Sequence, residues 1–74
     1  MNIIKKALER LNLRDYRSYI SNDGIQISGV MQNGEEIHVM QTSDGWHVGF
    51  GKMSPYNAPQ AVDEFEAAQI IGGA

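Results

Sequence analysis

Three dipeptides, Asp23-Gly24, Asn33-Gly34 and Asp44-Gly45, set the tightest limit on how this chain folds. A two-residue hairpin turn of type I′ needs positive φ at both central residues, and Asn-Gly and Asp-Gly meet that need at low steric cost. The stretches around them, residues 16–21, 25–31, 36–42 and 46–50, are rich in β-branched and aromatic side chains. Four strands joined by three short reversals predict an antiparallel meander.

The flanks are helical in pattern. Ile4, Leu8 and Leu11 fall at i, i+4 and i+7, with Ile3 and Ala7 beside them and Lys5, Lys6, Glu9 and Arg10 on the polar side. This predicts a helix over residues 3–11, ended by Asn12. Residues 51–56 read as a loop turned by Ser54-Pro55. A second helix is expected from Asn57, with Pro59 in its first turn and Gln60 completing an Asn-x-x-Gln capping box. Ala61, Val62, Phe65, Ala68 and Ile71 would form its buried stripe, Asp63, Glu64 and Glu66 its outer face, and Gly72-Gly73 its stop. The expected architecture is a single α+β domain over residues 1–74, ordered αββββα, with both helices packed on one face of the sheet. A lone meander has no other way to hide its apolar side.

Two-residue loops at Asn33-Gly34 and Asp44-Gly45 would pair Val30 with Ile37, Val39 with Phe50 and Gln41 with Val48. The core face then carries Val30, Ile37, Val39, Trp46, Val48 and Phe50. Ile25 and Ile27 fall on the wrong side in that register, which predicts a β-bulge near Ser28-Gly29 to restore them.

Composition narrows the function classes. At 74 residues with 42% hydrophobic content, a core is attainable in one small domain. Without cysteine there is no disulfide framework and no thiolate zinc site. The first residues interleave lysines with apolar positions, unlike a signal peptide, and no run approaches the roughly 20 apolar residues of a membrane span. A cytoplasmic protein is expected. The net charge of −3 is split: Lys5, Lys6, Arg10, Arg14 and Arg17 outweigh Glu9 and Asp15 at one end, while Lys52 faces seven acidic residues in the remainder.

No arrangement of residues spells out a reaction. His38 and His47 share a sheet face in the expected register, but His38 lies about 13 Å from Thr42, the residue expected opposite His47, at about 3.3 Å per residue. A metal needs donors at about 2 Å, so no metal site is expected. Gly49-Phe50-Gly51-Lys52 has Trp46 and Met53 where a phosphate-binding P-loop needs glycine and Ser/Thr. No serine sits in a Gly-x-Ser-x-Gly elbow. Glu35-Glu36 and Asp63-Glu64 read as solvated pairs, so neither catalysis nor a cofactor is expected.

Lys5, Lys6, Arg10, Arg14 and Arg17, with Tyr16 and Tyr19 nearby, could form a basic strip for nucleic acid. The helix–sheet–helix order resembles the double-stranded-RNA-binding domain in outline. That family has three strands and a basic start to its last helix, where this chain reads Asn57-Ala-Pro-Gln-Ala-Val-Asp-Glu-Phe-Glu. The expected function is instead a small non-enzymatic module that binds another protein, such as an inhibitor or adaptor of a larger host complex carried by a phage or bacterial accessory gene. Its expected contact residues are Asp63, Glu64 and Glu66 on the last helix, or Met31, Met40, His38 and His47 on the second sheet face. The alternatives are nucleic-acid binding through the basic residues and a structural homodimer through the methionine face.

Overall fold

The computed structural model describes residues 2–22, 24–51 and 60–73. In chain order it contains α1 (Asn2–Arg10), β1 (Arg14–Ser21), β2 (Gly24–Val30), β3 (Glu36–Thr42), β4 (Gly45–Phe50) and α2 (Glu64–Gly72). The strands form one antiparallel sheet in the order β1-β2-β3-β4. Helix α1 packs on α2, and α2 lies against β4, on one face of the sheet. The expected α+β meander is therefore present. The expected turn at Ser54-Pro55 and the cap at Asn57 with Pro59 fall outside the described residues.

Helix α1 is too short to be stable alone in water and is held by its apolar stripe. Ile4, Ala7 and Leu8 are buried while Lys5, Lys6, Glu9 and Arg10 are exposed. It ends where Leu11 and Asn12 donate to the carbonyls of Leu8 and Glu9, and Asn12 takes a left-handed φ of 53°.

The hairpin chemistry differs from expectation in a way that decides the core. Between β2 and β3 the loop is three residues long. The Met31 N–H donates to the Glu35 carbonyl at 2.8 Å and the Gly34 N–H to the Met31 carbonyl at 2.9 Å, with Gly34 at φ 88°. This is a tight turn closed by a left-handed glycine. The extra residue pairs Val30 with Glu36 and Ile27 with Val39. Ile25 and Ile27 thus reach the core side with no bulge in β2, and Val30 moves to the opposite face. The irregularity lies in β1, between Arg14 and Arg17 across from Val30 and Ser28, where Asp15 adopts a φ of 50°.

Between β3 and β4 the closing pair is Thr42 with Gly45, so the turn residues are Ser43 and Asp44, neither at positive φ. Val39 pairs with Val48 and Ile37 with Phe50. That register is two residues away from the expected one, and because side chains alternate with period two the face assignments of β3 and β4 are unchanged, but Phe50, expected in the core, is exposed at the end of β4.

The core is a layered cluster. Ile27, Val39 and Val48 lie side by side across three strands, flanked by Ile37 and Trp46, and are roofed by Ile4, Ala7 and Leu8 from α1 and Ala67 and Ile71 from α2. Each fully buried aliphatic side chain here contributes about 1.5–3 kcal/mol relative to exposure.

Helix α2 starts later than its apolar pattern suggests. Val62 is extended, and it exchanges backbone hydrogen bonds of 2.8 Å with Trp46 in both directions. Helix formation then begins at Asp63, whose side chain accepts from the Glu66 N–H at 2.7 Å as N-cap. Gln60, Ala61 and Val62 are outside the helix. The buried residues become Ala67 and Ile71, and Phe65, expected inside, is 75% exposed. Gly73 caps the C-terminus, as the glycine pair predicts.

Candidate functional site

With both helices on one side, the other face of the sheet is left uncovered among the described residues. Two cross-strand rows run across it: Tyr19, Gln26, Met40 and His47, and beside them Arg17, Ser28, His38 and Gly49. Val30 and Glu36 form the start of a third. Strand pleating puts these residues on the face away from Ile27 and Val39.

Local contacts order this surface. The Gln26 side-chain amide donates to the Met40 sulfur at 3.5 Å, tying β2 to β3. Thr42 Oγ1 lies 3.0 Å from His47 Nε2 and also accepts the Asp44 N–H at 3.2 Å, so the β3–β4 turn fixes the orientation of the His47 ring. His38 Nε2 is enclosed and makes no hydrogen bond, and Glu36 Oε2 is 3.4 Å from it. Arg17, Ser28, Val30, Glu36 and His38 line a shallow depression at this end of the face.

The middle of the surface carries no Asp, Glu, Lys or Arg, and its formal charges, Arg14, Arg17 and Glu36, stand toward the margin. Gly49, beside His38 in the second row, is buried. The histidines are closer neighbours than expected: His47 stands opposite Met40, not Thr42, and diagonally from His38, a spacing of roughly 7–8 Å between Cα atoms. Among the described residues no group of three or more His, Cys, Asp or Glu is placed to hold a metal ion.

The expected contact residues do not come together. Met40, His38 and His47 share the open face, but Met31 does not: it closes the β2–β3 turn and is 6% exposed in the core. The shifted register takes it there. Asp63, Glu64 and Glu66 lie at the start of α2. Asp63 and Glu66 are exposed, Glu64 is half-buried, and Asp63 is engaged as the helix cap. The basic residues divide between two sides. Lys5, Lys6 and Arg10 belong to α1 above the core, whereas Arg14 and Arg17 pair with Val30 and Ser28, whose side chains belong to the open face. Gly49 and Phe50 are strand residues and Lys52 is outside the described set.

Two features escaped the sequence reading. Val30 joins the open face only because of the three-residue turn. Strand β1 is exposed along its whole length, with Tyr16 at 51%, Tyr19 at 65% and Ile20 at 74%. The near absence of aliphatic residues in β1, Ile20 apart, was the available signal for the second.

Among the described residues no helix is long and apolar enough to cross a membrane. In comparisons with known proteins, the chain matches no family model, no curated protein and no solved structure.

Proposed function

We propose that this chain is a small non-enzymatic protein-binding module that presents its open sheet face to a larger partner in the cytoplasm. The observation that carries the reading is the composition of that face. Gln26, Met40, Ser28 and His38 occupy its middle, Tyr19 and His47 lie at the two ends of one row, and Arg17 and Glu36 stand at the margin. Protein interfaces are depleted of charge at the centre and enriched in methionine and aromatic side chains, and this face has Met40 and no formal charge in its middle and Tyr19 at one end. Methionine adapts its shape to a partner. A compact domain of this kind suits an inhibitor or adaptor of a host complex, the role expected of a phage or bacterial accessory product.

The test compares affinity-tagged wild type with Met40→Asp and Glu66→Lys as baits in a lysate of the native host. The expected result is a specific partner whose recovery falls at least tenfold with Met40→Asp, while circular dichroism of that variant matches wild type and Glu66→Lys retains the partner. Equal recovery by Met40→Asp, or no partner for the wild type, overturns the reading.

A further inference from the structure

The two edges of this sheet are not equivalent. The edge of β4 is met by Val62, which takes both backbone groups of Trp46, and α2 lies against the same strand. Beyond β1 there is no element among the described residues, and β1 neighbours only β2. Proteins usually blunt such an edge with charged side chains, above all lysine, or with proline or a bulge. Here the bulge and the charges of Arg14 and Asp15 fall at the beginning of β1, and residues 17–21, with Arg17 their one charge, run in regular register with β2.

The groups that this edge offers follow from hydrogen-bond alternation. In an antiparallel ladder, every second residue directs its N–H and C=O toward a given neighbour. The Met31–Glu35 bond fixes the phase: Met31 bonds toward β3, so Val30, Ser28, Gln26 and Gly24 bond toward β1. The bonds from Gly51 to Glu36 and between Trp46 and Val62 agree with that phase. Their partners Arg17, Tyr19 and Ser21 therefore turn inward to β2, and Ser18 and Ile20 direct their backbone groups outward.

We propose that the occupant of this edge is a second copy of the chain, joined by antiparallel β1–β1 pairing about a two-fold axis through Ser18, to give one continuous eight-stranded sheet. Symmetry favours this occupant. Pairing of β1 with β4 would be head-to-tail, which has no fixed end point at two subunits, and Val62 already occupies the β4 edge at Trp46; pairing of β1 with itself closes at two subunits. Side chains select the register. An axis through Arg17 sets two arginines opposite each other, a destabilising like-charge pair. With Ser18 on the axis, Arg17 of each copy faces Tyr19 of the other, a cation–π geometry. Tyr16 then faces Ile20. All three exposed large hydrophobic side chains of β1 gain a neighbour in that register, and the outward backbone groups of the two Ser18 residues pair with each other. The inference stands independently of the open-face reading.

The test is molar mass by sedimentation equilibrium across concentrations from about 1 to about 500 µM, a range wide enough to expose mass-action assembly. The wild type is expected to move from the mass of one chain to twice that mass. Ser18→Pro removes an N–H that faces away from β2, so the intrachain ladder keeps its bonds, and it is expected to remain a single chain throughout with an unchanged circular dichroism spectrum. Tyr19→Lys, which sets a lysine against Arg17 of the other copy, provides a second variant should the proline disturb the strand; a rise of tenfold or more in the dissociation constant is expected. Met40→Asp is expected to dimerise as wild type does. A wild type that stays a single chain at every concentration overturns the proposal, as does a dimer that survives both β1 variants or is lost with Met40→Asp.

Discussion

Trp46 and Val62 each donate a backbone N–H to the other's carbonyl at 2.8 Å, joining the segment before α2 to the edge of β4. This bridge brings the start of α2 to the sheet and covers part of one edge, whereas β1 has no neighbour beyond it among the described residues.

Gly45 lies directly beneath that bridge. It has a φ of 135°, and a Cβ there would stand 2.8 Å from the Val62 carbonyl oxygen; Gly34, at φ 88°, has open space around it. Both Gly→Ala substitutions strain the backbone, but only the one at Gly45 also collides with the bridge. Gly34→Ala is expected to cost about 1 kcal/mol and Gly45→Ala about 2–3 kcal/mol. Urea denaturation of the two variants checks the order, and equal losses would mean that the Val62 contact yields freely.

Asp63 caps α2 through the Glu66 N–H, and Glu64 and Glu66 lie in the first turn, where negative charge suits the helix dipole. Asp63→Ala is expected to lose about 1 kcal/mol and Asp63→Asn much less. Reversing Asp63, Glu64 and Glu66 to lysine, harmless for a purely solvated face, is expected to destabilise by more than Asp63→Ala alone. Chemical denaturation of the three variants measures this.

Met31 and Met40 were grouped on one surface by the sequence pattern, yet Met31 is buried and Met40 half-buried on the open face. Met31→Asp sets a carboxylate among apolar neighbours and is expected to unfold most of the population. Met40→Asp is expected to stay within about 1 kcal/mol of wild type. Thermal melts of the pair separate the two positions; similar melting temperatures would contradict the register described for β2 and β3.

Ile37 is 1% exposed and Phe65 is 75% exposed. Ile37→Ala is expected to cost about 2–5 kcal/mol, a large part of the roughly 4–11 kcal/mol available to a domain of this length. Phe65→Ala, although it removes more atoms, is expected to fall within about 0.5 kcal/mol of wild type. A loss at Phe65 comparable to that at Ile37 would place α2 in the phase its apolar pattern first suggested.

Much of this was legible from local chemistry. Reversals near the three glycine-bearing dipeptides gave the strand number, order and antiparallel sense, because turn preference is a property of adjacent residues. The stripe of Ile4, Leu8 and Leu11, with Ala7 beside it, identifies the buried side of α1 for the same reason, although Leu11 is only half-buried. The site was less legible. The sequence pattern places Met40, His38 and His47 on the second face, where the structure has them, because the β3–β4 register differs from the expected one by two residues; it misplaces Met31 and Val30 because the β2–β3 register differs by one.

The residues alone determined that this chain is a helix, a four-stranded meander and a helix, since capping, turn formation and apolar periodicity are written within a few positions of one another. The tertiary structure decided which side of β2 is apolar, where α2 begins and which edge stays bare. Those outcomes depend on Ile27 meeting Val39, and on Val62 meeting Trp46. Such meetings between residues distant in sequence are selected by how well the packed arrangement fills space and satisfies backbone groups, and no short window of sequence holds that comparison.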